Sequence, residues 1–199
     1  MTEVFKHKFF GWLNADARRH INPDGSVGGI VAVTATLAPN LIIPATAQVG
    51  PGASIGHDAS IGHDASIGEG ASIGEGASIG HDASIGEGAS IGEGASIGYR
   101  ASIGYRASIG EGEWWITCGP QGSRDAVLTA VQKPDGLKWW VGCKHGVTTD
   151  ELRRLVRETH GEGDHTADYM HVIEFVWSHP ARLRAVKRMK CLVPAEAAE

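Results

Sequence analysis

From Ala53 to Gly112 the chain consists of ten consecutive hexapeptides of the form A-S-I-G-x-x, which place Ile55, Ile61, Ile67, Ile73, Ile79, Ile85, Ile91, Ile97, Ile103 and Ile109 on one beat. Counting back by six reaches Val49, Ile43, Leu37 and Val31, so fourteen repeats share a register. A period of six does not fit an α-helix of 3.6 residues per turn, on which successive isoleucines would spiral around the surface. It suits extended chain, in which Ala and Ile point one way and Ser and Gly the other. Isoleucine favours strand and the G-x-x junction can turn, so each unit reads as a short strand followed by a corner.

One short strand cannot bury its isoleucine alone. Coiling the chain so that each strand bonds to its equivalent in the next coil supplies both the ladder and the core. Trimming one buried isoleucine to valine costs about 0.5–1.5 kcal/mol, so a single imperfect repeat is tolerable. Aspartate at a central isoleucine is not, because it brings an unpaired charge into a closed core. Most of the 28 glycines follow the same spacing, which marks a repeat rather than disorder.

The tandem copies resemble the hexapeptide-repeat superfamily of left-handed parallel β-helices. The resemblance spans about residues 29 to 112. It implies three hexapeptides per triangular coil, equivalent residues every 18 positions, about four and two-thirds coils, and assembly as a homotrimer. The expected fold class is therefore mainly β, a left-handed parallel β-helix with a small α+β C-terminal cap domain.

With an 18-residue coil the variable pairs sort into columns. His63, His81 and Tyr99 share one, with Asp64, Asp82 and Arg100 beside them. His57 lies in line with Glu75, Glu93 and Glu111, while Glu69 and Glu87 precede Tyr105, with Arg106 alongside. Eight acidic residues against two arginines make the array an acidic surface, within a chain of net charge −5. Carboxylates stacked about 4.8 Å apart repel, although water and salt keep the cost small.

Many proteins of the resembling class are acyltransferases that use a histidine as general base and bind an acyl-thioester between subunits. The counterparts here are His57, His63 and His81, since imidazole exchanges a proton near neutral pH. Each sits in the same H-D pair of the same template, however, so none is singled out, and a pocket needs asymmetric shape and chemistry. No catalytic residue and no cofactor is assigned; an acyl-thioester such as acetyl-CoA enters only under the acyltransferase alternative. A zinc site of the carbonic-anhydrase kind would need a third ligand beside His63 and His81. The serine ladders from Ser54 to Ser108 lack the methyl of threonine and occupy every face, which argues against ice binding.

The periodicity changes at Glu113. Glu113–Gly119, Asp125–Gln132 and Leu137–Cys143 read as three strands of a meander, separated by turns at Pro120–Ser123 and Lys133–Gly136. Trp114, Trp115, Trp139 and Trp140 supply large faces for cap packing. Thr148-x-x-Glu151 is a capping-box signature for a helix running to about His160. A second helix carries Tyr169, Val172, Ile173 and Val176 and ends before Pro180. The stretch I-T-C-G-P-Q-G-S-R, with G-V-T-T-D-E-L further on, resembles a module attached to hexapeptide arrays in bacterial and phage proteins. Cys118, Cys143 and His145 lack the close C-x-x-C spacing of zinc sites, so no metal is assigned. His160, Asp164 and His165 form a polar group at a glycine break. The basic segment Arg182, Arg184, Lys187, Arg188 and Lys190 reads as a short helix or tail that pairs with acidic surface; nucleic acid is not expected against the net negative charge.

The expected organisation is an N-terminal cap segment (1–28), the β-helix (29–112), an α+β module of three strands and two helices (113–180) and a basic helix or tail (181–199). An odd number of cysteines, three, and no apolar run of signal or membrane-span length point to a soluble cytoplasmic protein. The reading of function is a noncatalytic trimeric scaffold that assembles with an unidentified protein partner, without membrane; the alternative is an acyltransferase. Because coils are interchangeable, deleting the 18 residues Ala65–Asp82 should leave a soluble protein one coil shorter. Gross unfolding of that deletion, read by circular dichroism, would contradict the three-repeat coil.

Overall fold

The structure, a computed structural model, describes residues 3–121 and 126–192, with side chains described except at 120, 121, 126 and 187–192. The expected turn at Pro120–Ser123 lies partly outside those residues, and so do the side chains of Lys187, Arg188 and Lys190. The chain divides into two compact units at Gly112/Glu113.

The first unit opens with an antiparallel hairpin, β1 (Val4–Phe9) and β2 (Leu13–Ile21), followed by β3 (Val27–Ala32). Short strands β4 (Thr36–Leu37) and β5 (Gln48–Val49) come next. From β6 (Ser54–Ile55) to β15 (Ser108–Ile109) one Ser-Ile strand then recurs every six residues. Parallel pairing joins residues 18 apart, as in Ser78↔Ser96 and Ile79↔Ile97. Three strands therefore make one coil, and stacked coils form three sheets. The first runs β1-β2-β3-β5-β8-β11-β14, the second β4-β6-β9-β12-β15 and the third β7-β10-β13.

The alternation of the template explains the interior. Thirteen of the fourteen expected core positions are at most 6% exposed, and the alanine two residues before most of them is buried as well. Leu37 is the half-buried exception. It sits on β4, the edge strand of the second sheet, so nothing stacks beneath it.

Glycine at the fourth template position has a steric cause. A Cβ on Gly62 would meet the backbone of Gly80 and His81 at 2.5 Å, and one on Gly80 would meet Gly98 C at 2.7 Å. Coils at hydrogen-bonding distance leave no room for a side chain there. Gly98 ends that column, and a Cβ on it meets nothing within 4 Å. The second corner residue has a conformational cause: it lies in the left-handed region, as at Asp64 (φ 59) and Gly76 (φ 63). There its N–H donates to the corner of the preceding coil, as Gly76 N does to His57 O at 2.9 Å. Glycine and aspartate suit that conformation.

The first coil departs from the template. Pro44 stands 18 residues before Gly62, whose N–H donates to Ile79 O at 2.8 Å. Proline has no N–H, so the third sheet begins only at β7. Ile43 is still fully buried. Below it the Asn22 side chain replaces the missing coil, with Oδ1 accepting from Ile43 N at 2.9 Å. Gly29 N donates to Ile43 O at 3.2 Å.

The second unit is an antiparallel sheet of four strands, β16 (Trp114–Gln121), β17 (Ala126–Lys133), β18 (Gly136–Val141) and β19 (Lys144–Thr148), in that order. The sequence predicted three. The fourth, Lys144–Thr148, falls in none of the predicted strands, but Val147 is buried and the strand pairs with β18. Helices α1 (Thr149–His160), α2 (Asp164–Ser178) and α3 (Pro180–Leu192) follow. Thr148 caps α1, its hydroxyl accepting from Glu151 N at 3.2 Å. Leu128, Leu137, Trp139, Leu152, Val156 and Ile173 are among the residues that form the core, and Trp139 donates to Thr149 Oγ1 at 3.0 Å. Trp140 is also buried, whereas Trp114 and Trp115 are half-buried.

α3 is part of this unit rather than a trailing segment, which removes the boundary expected at 181. Arg182 is 6% exposed and reaches Gln132 of β17 at 2.9 Å, while its Nε donates to Trp177 O at 2.8 Å. Burial lowers its pKa from the ordinary arginine value.

The two environments of the template glycine give a matched test. Gly62→Ala should destabilise the protein by about 1–3 kcal/mol through overpacking. Gly98→Ala should stay within about 0.5 kcal/mol. Equal effects of the two substitutions in chemical denaturation would rule out coil contact as the reason for the glycine.

Candidate functional site

His57, His63 and His81 each stand first in a corner pair and are exposed. The 18-residue coil brings His63 and His81 together, with ring centroids 5.4 Å apart and planes 22° from parallel. It leaves His57 in a separate column, where its neighbour is Glu75. Among the described residues no side-chain hydrogen bond orients any of the three imidazoles, whereas a general base is normally held by a partner on its second nitrogen. Chemically the pair is a stacked couple of imidazoles on exposed corners.

The corners after His81 differ. Arg100 lies 4.9 Å from the centroid of the Tyr99 ring, and Arg106 lies 5.0 Å from that of Tyr105. Arg100 also approaches Asp82 at 3.6 Å. Both partners are largely exposed, so that ion pair contributes only about 0–1 kcal/mol.

Among the described residues two cavities stand out, and neither is lined by His57, His63 or His81. One, of about 350 Å³, lies in the first unit between Asn40–Ile42 and Asp58–Ile61, where Pro44 interrupts the ladder. The other, of about 400 Å³, lies in the second unit. Leu152, Val156 and Tyr169 line it together with Cys143, Lys144 and His160. His160 stacks on Tyr169 at 5.7 Å and approaches His165 at 5.5 Å, so the polar group expected at the glycine break is largely an aromatic stack.

Cys118 is half-buried on β16, and Cys143 is exposed in the turn before β19. Both are free thiols. Among the described residues no group of three or more His, Cys, Asp or Glu side chains is placed to hold a metal ion. Arg182, which the sequence places in a basic helix or tail that pairs with acidic surface, is instead buried and bonded to Gln132 and Trp177. Its partner lies 50 residues away in sequence, and only the unusual placement of Gln132 on an apolar strand hints at it.

A family model described as bacterial transferase hexapeptide (six repeats) matches residues 70–105. These residues lie wholly within the stacked coils. The stacked coils fit the hexapeptide-repeat β-helix superfamily. That superfamily is known for acyltransferases as well as scaffolds, so the match bears on the architecture, and the chemistry rests on the corners and cavities. Among curated proteins, none matches the chain. Among the described residues no helix is long and apolar enough to cross a membrane.

The thiols provide a direct check on the second unit. Burial raises the Cys118 pKa above the ordinary thiol value, so less thiolate is present at a given pH. In a Cys191→Ser background, Cys143 should react with iodoacetamide at pH 8 well ahead of Cys118, and Cys118 should catch up only on raising the pH or on unfolding. Equal initial rates in the folded protein would contradict this placement of β16.

Proposed function

We propose that the protein is a noncatalytic scaffold, a trimer of hexapeptide-repeat β-helices that presents its corners and C-terminal unit to a protein partner. The observation that carries this reading is the position of the histidines. All three stand on exposed corners, none of them lines either cavity, and none has an orienting side chain. Repetition supports it further, because a surface cut from one template offers many equivalent contacts and no unique reaction centre. The flat serine faces, on which only small side chains project, are suited to close approach of neighbouring copies. The free thiols of Cys118 and Cys143 are consistent with a reducing, cytoplasmic setting.

The family model's transferase description favours a second reading, an acyltransferase that binds an acyl-thioester between subunits. In it His63 or His81 is the base and the site is completed only by a neighbouring copy.

Two measurements decide between them. Light scattering should return three times the 21.0 kDa chain mass. Titration calorimetry with acetyl-CoA should show no binding. Saturable binding that is lost in His63→Ala or His81→Ala, with the trimer intact, would replace the scaffold by the acyltransferase.

A further inference from the structure

The charge of the array changes sign within a single coil. Tyr99-Arg100 and Tyr105-Arg106 flank the strand Ser102–Ile103, and no other corner pair between Ala53 and Gly112 carries an arginine or lysine. Both arginines lie in the left-handed region, Arg100 at φ 56 and Arg106 at φ 53. Glycine holds the equivalent position at Gly70, Gly76, Gly88 and Gly94. A long L side chain is disfavoured there, and such conformations tend to persist where a site uses the residue. Each guanidinium lies over the tyrosine ring that precedes it, which holds the cation at the corner. Between the two cations the strand projects only Ser102. The result is a flat strip bracketed by tyrosine and arginine, residue types enriched where interfaces concentrate their binding energy.

The complementary surface is on the same chain. Glu75, Glu93 and Glu111 form one corner column, and each is followed by glycine, so the carboxylates stand on a slim edge. Glu93 and Glu111 precede and follow the bracket within one turn of the helix. Their heights along the axis therefore differ from those of the arginines by less than one coil spacing, about 4.8 Å. We propose that the acidic edge of a second copy, at Glu93 and Glu111, seats on the strip between Arg100 and Arg106. Each copy then offers its bracket to one neighbour and its edge to the other. That contact is heterologous and closes as a ring when copies stand side by side. The contact also relieves the repulsion within the stacked glutamates. The inference rests on the trimeric reading above and names the residues that make it.

The test uses the full chain, with light scattering over a dilution series and circular dichroism as the check on folding. Arg100→Gly/Arg106→Gly restores the residue that the template uses at other corners, so the fold is retained. It should raise the concentration at which the trimer dissociates by at least ten-fold and reduce the effect of added salt. Arg100→Glu/Arg106→Glu should be monomeric, and adding Glu93→Arg/Glu111→Arg should restore association. A wild-type trimer whose dilution behaviour is unchanged in Arg100→Glu/Arg106→Glu overturns the bracket and leaves the trimer standing. A folded charge-swapped protein that stays monomeric overturns the pairing of these residues. A wild-type monomer at every concentration overturns the bracket and the trimeric reading together.

Discussion

Everything in the first unit depends on successive coils approaching to backbone hydrogen-bonding distance. Ser60 N reaches Ala77 O at 2.9 Å and Gly62 N reaches Ile79 O at 2.8 Å, and the same pair of bonds recurs coil after coil. Strands of two residues have almost no stability alone. They persist because each is paired with its equivalent in an adjacent coil, on both sides within the stack, and because its isoleucine closes the core against the isoleucines of adjacent coils. The template follows from that approach: a small inward residue, a large inward residue, and a glycine where the next coil's backbone leaves no space for a Cβ.

Much of this was legible in the sequence. The isoleucine beat carries the strand positions, the inward faces and the core. The conformational demand at the second corner residue is visible in the predominance of glycine and aspartate. Other features were hidden because their cause is tertiary. Pro44 shows its effect only against Gly62 in the next coil, and Asn22 only when Ile43 lacks a coil beneath it. In the second unit, Lys144–Thr148 carries the composition of a loop, yet its pairing with β18 and the burial of Val147 make it a strand. Arg182 belongs by composition to a basic run, yet its partner on β17 draws it into the interior.

The candidate site was legible in a different sense. The columns of His63 with His81, and of Asp82 with Arg100, follow from arithmetic on an 18-residue coil, and the structure places both pairs side by side. What arithmetic could not supply is the surroundings of those groups. The cavities lie elsewhere, one where proline interrupts a ladder and one between a sheet and two helices. Repetition fixes where side chains stand, but enclosure arises where repetition is interrupted.

Asn22 marks one such interruption, and its consequence concerns counting. Interchangeable coils contain no internal mark that tells one from the next, so a shift by a whole coil keeps nearly every interior contact. The amide of Asn22 binds one isoleucine in the whole series, Ile43, and thereby gives the ladder a fixed first rung. Because that rung precedes the uniform repeats in the chain, ribosomal synthesis delivers the reference point before any coil that could be confused with its neighbour. The array can then be read out from a known origin, one coil at a time, in the order in which it is made.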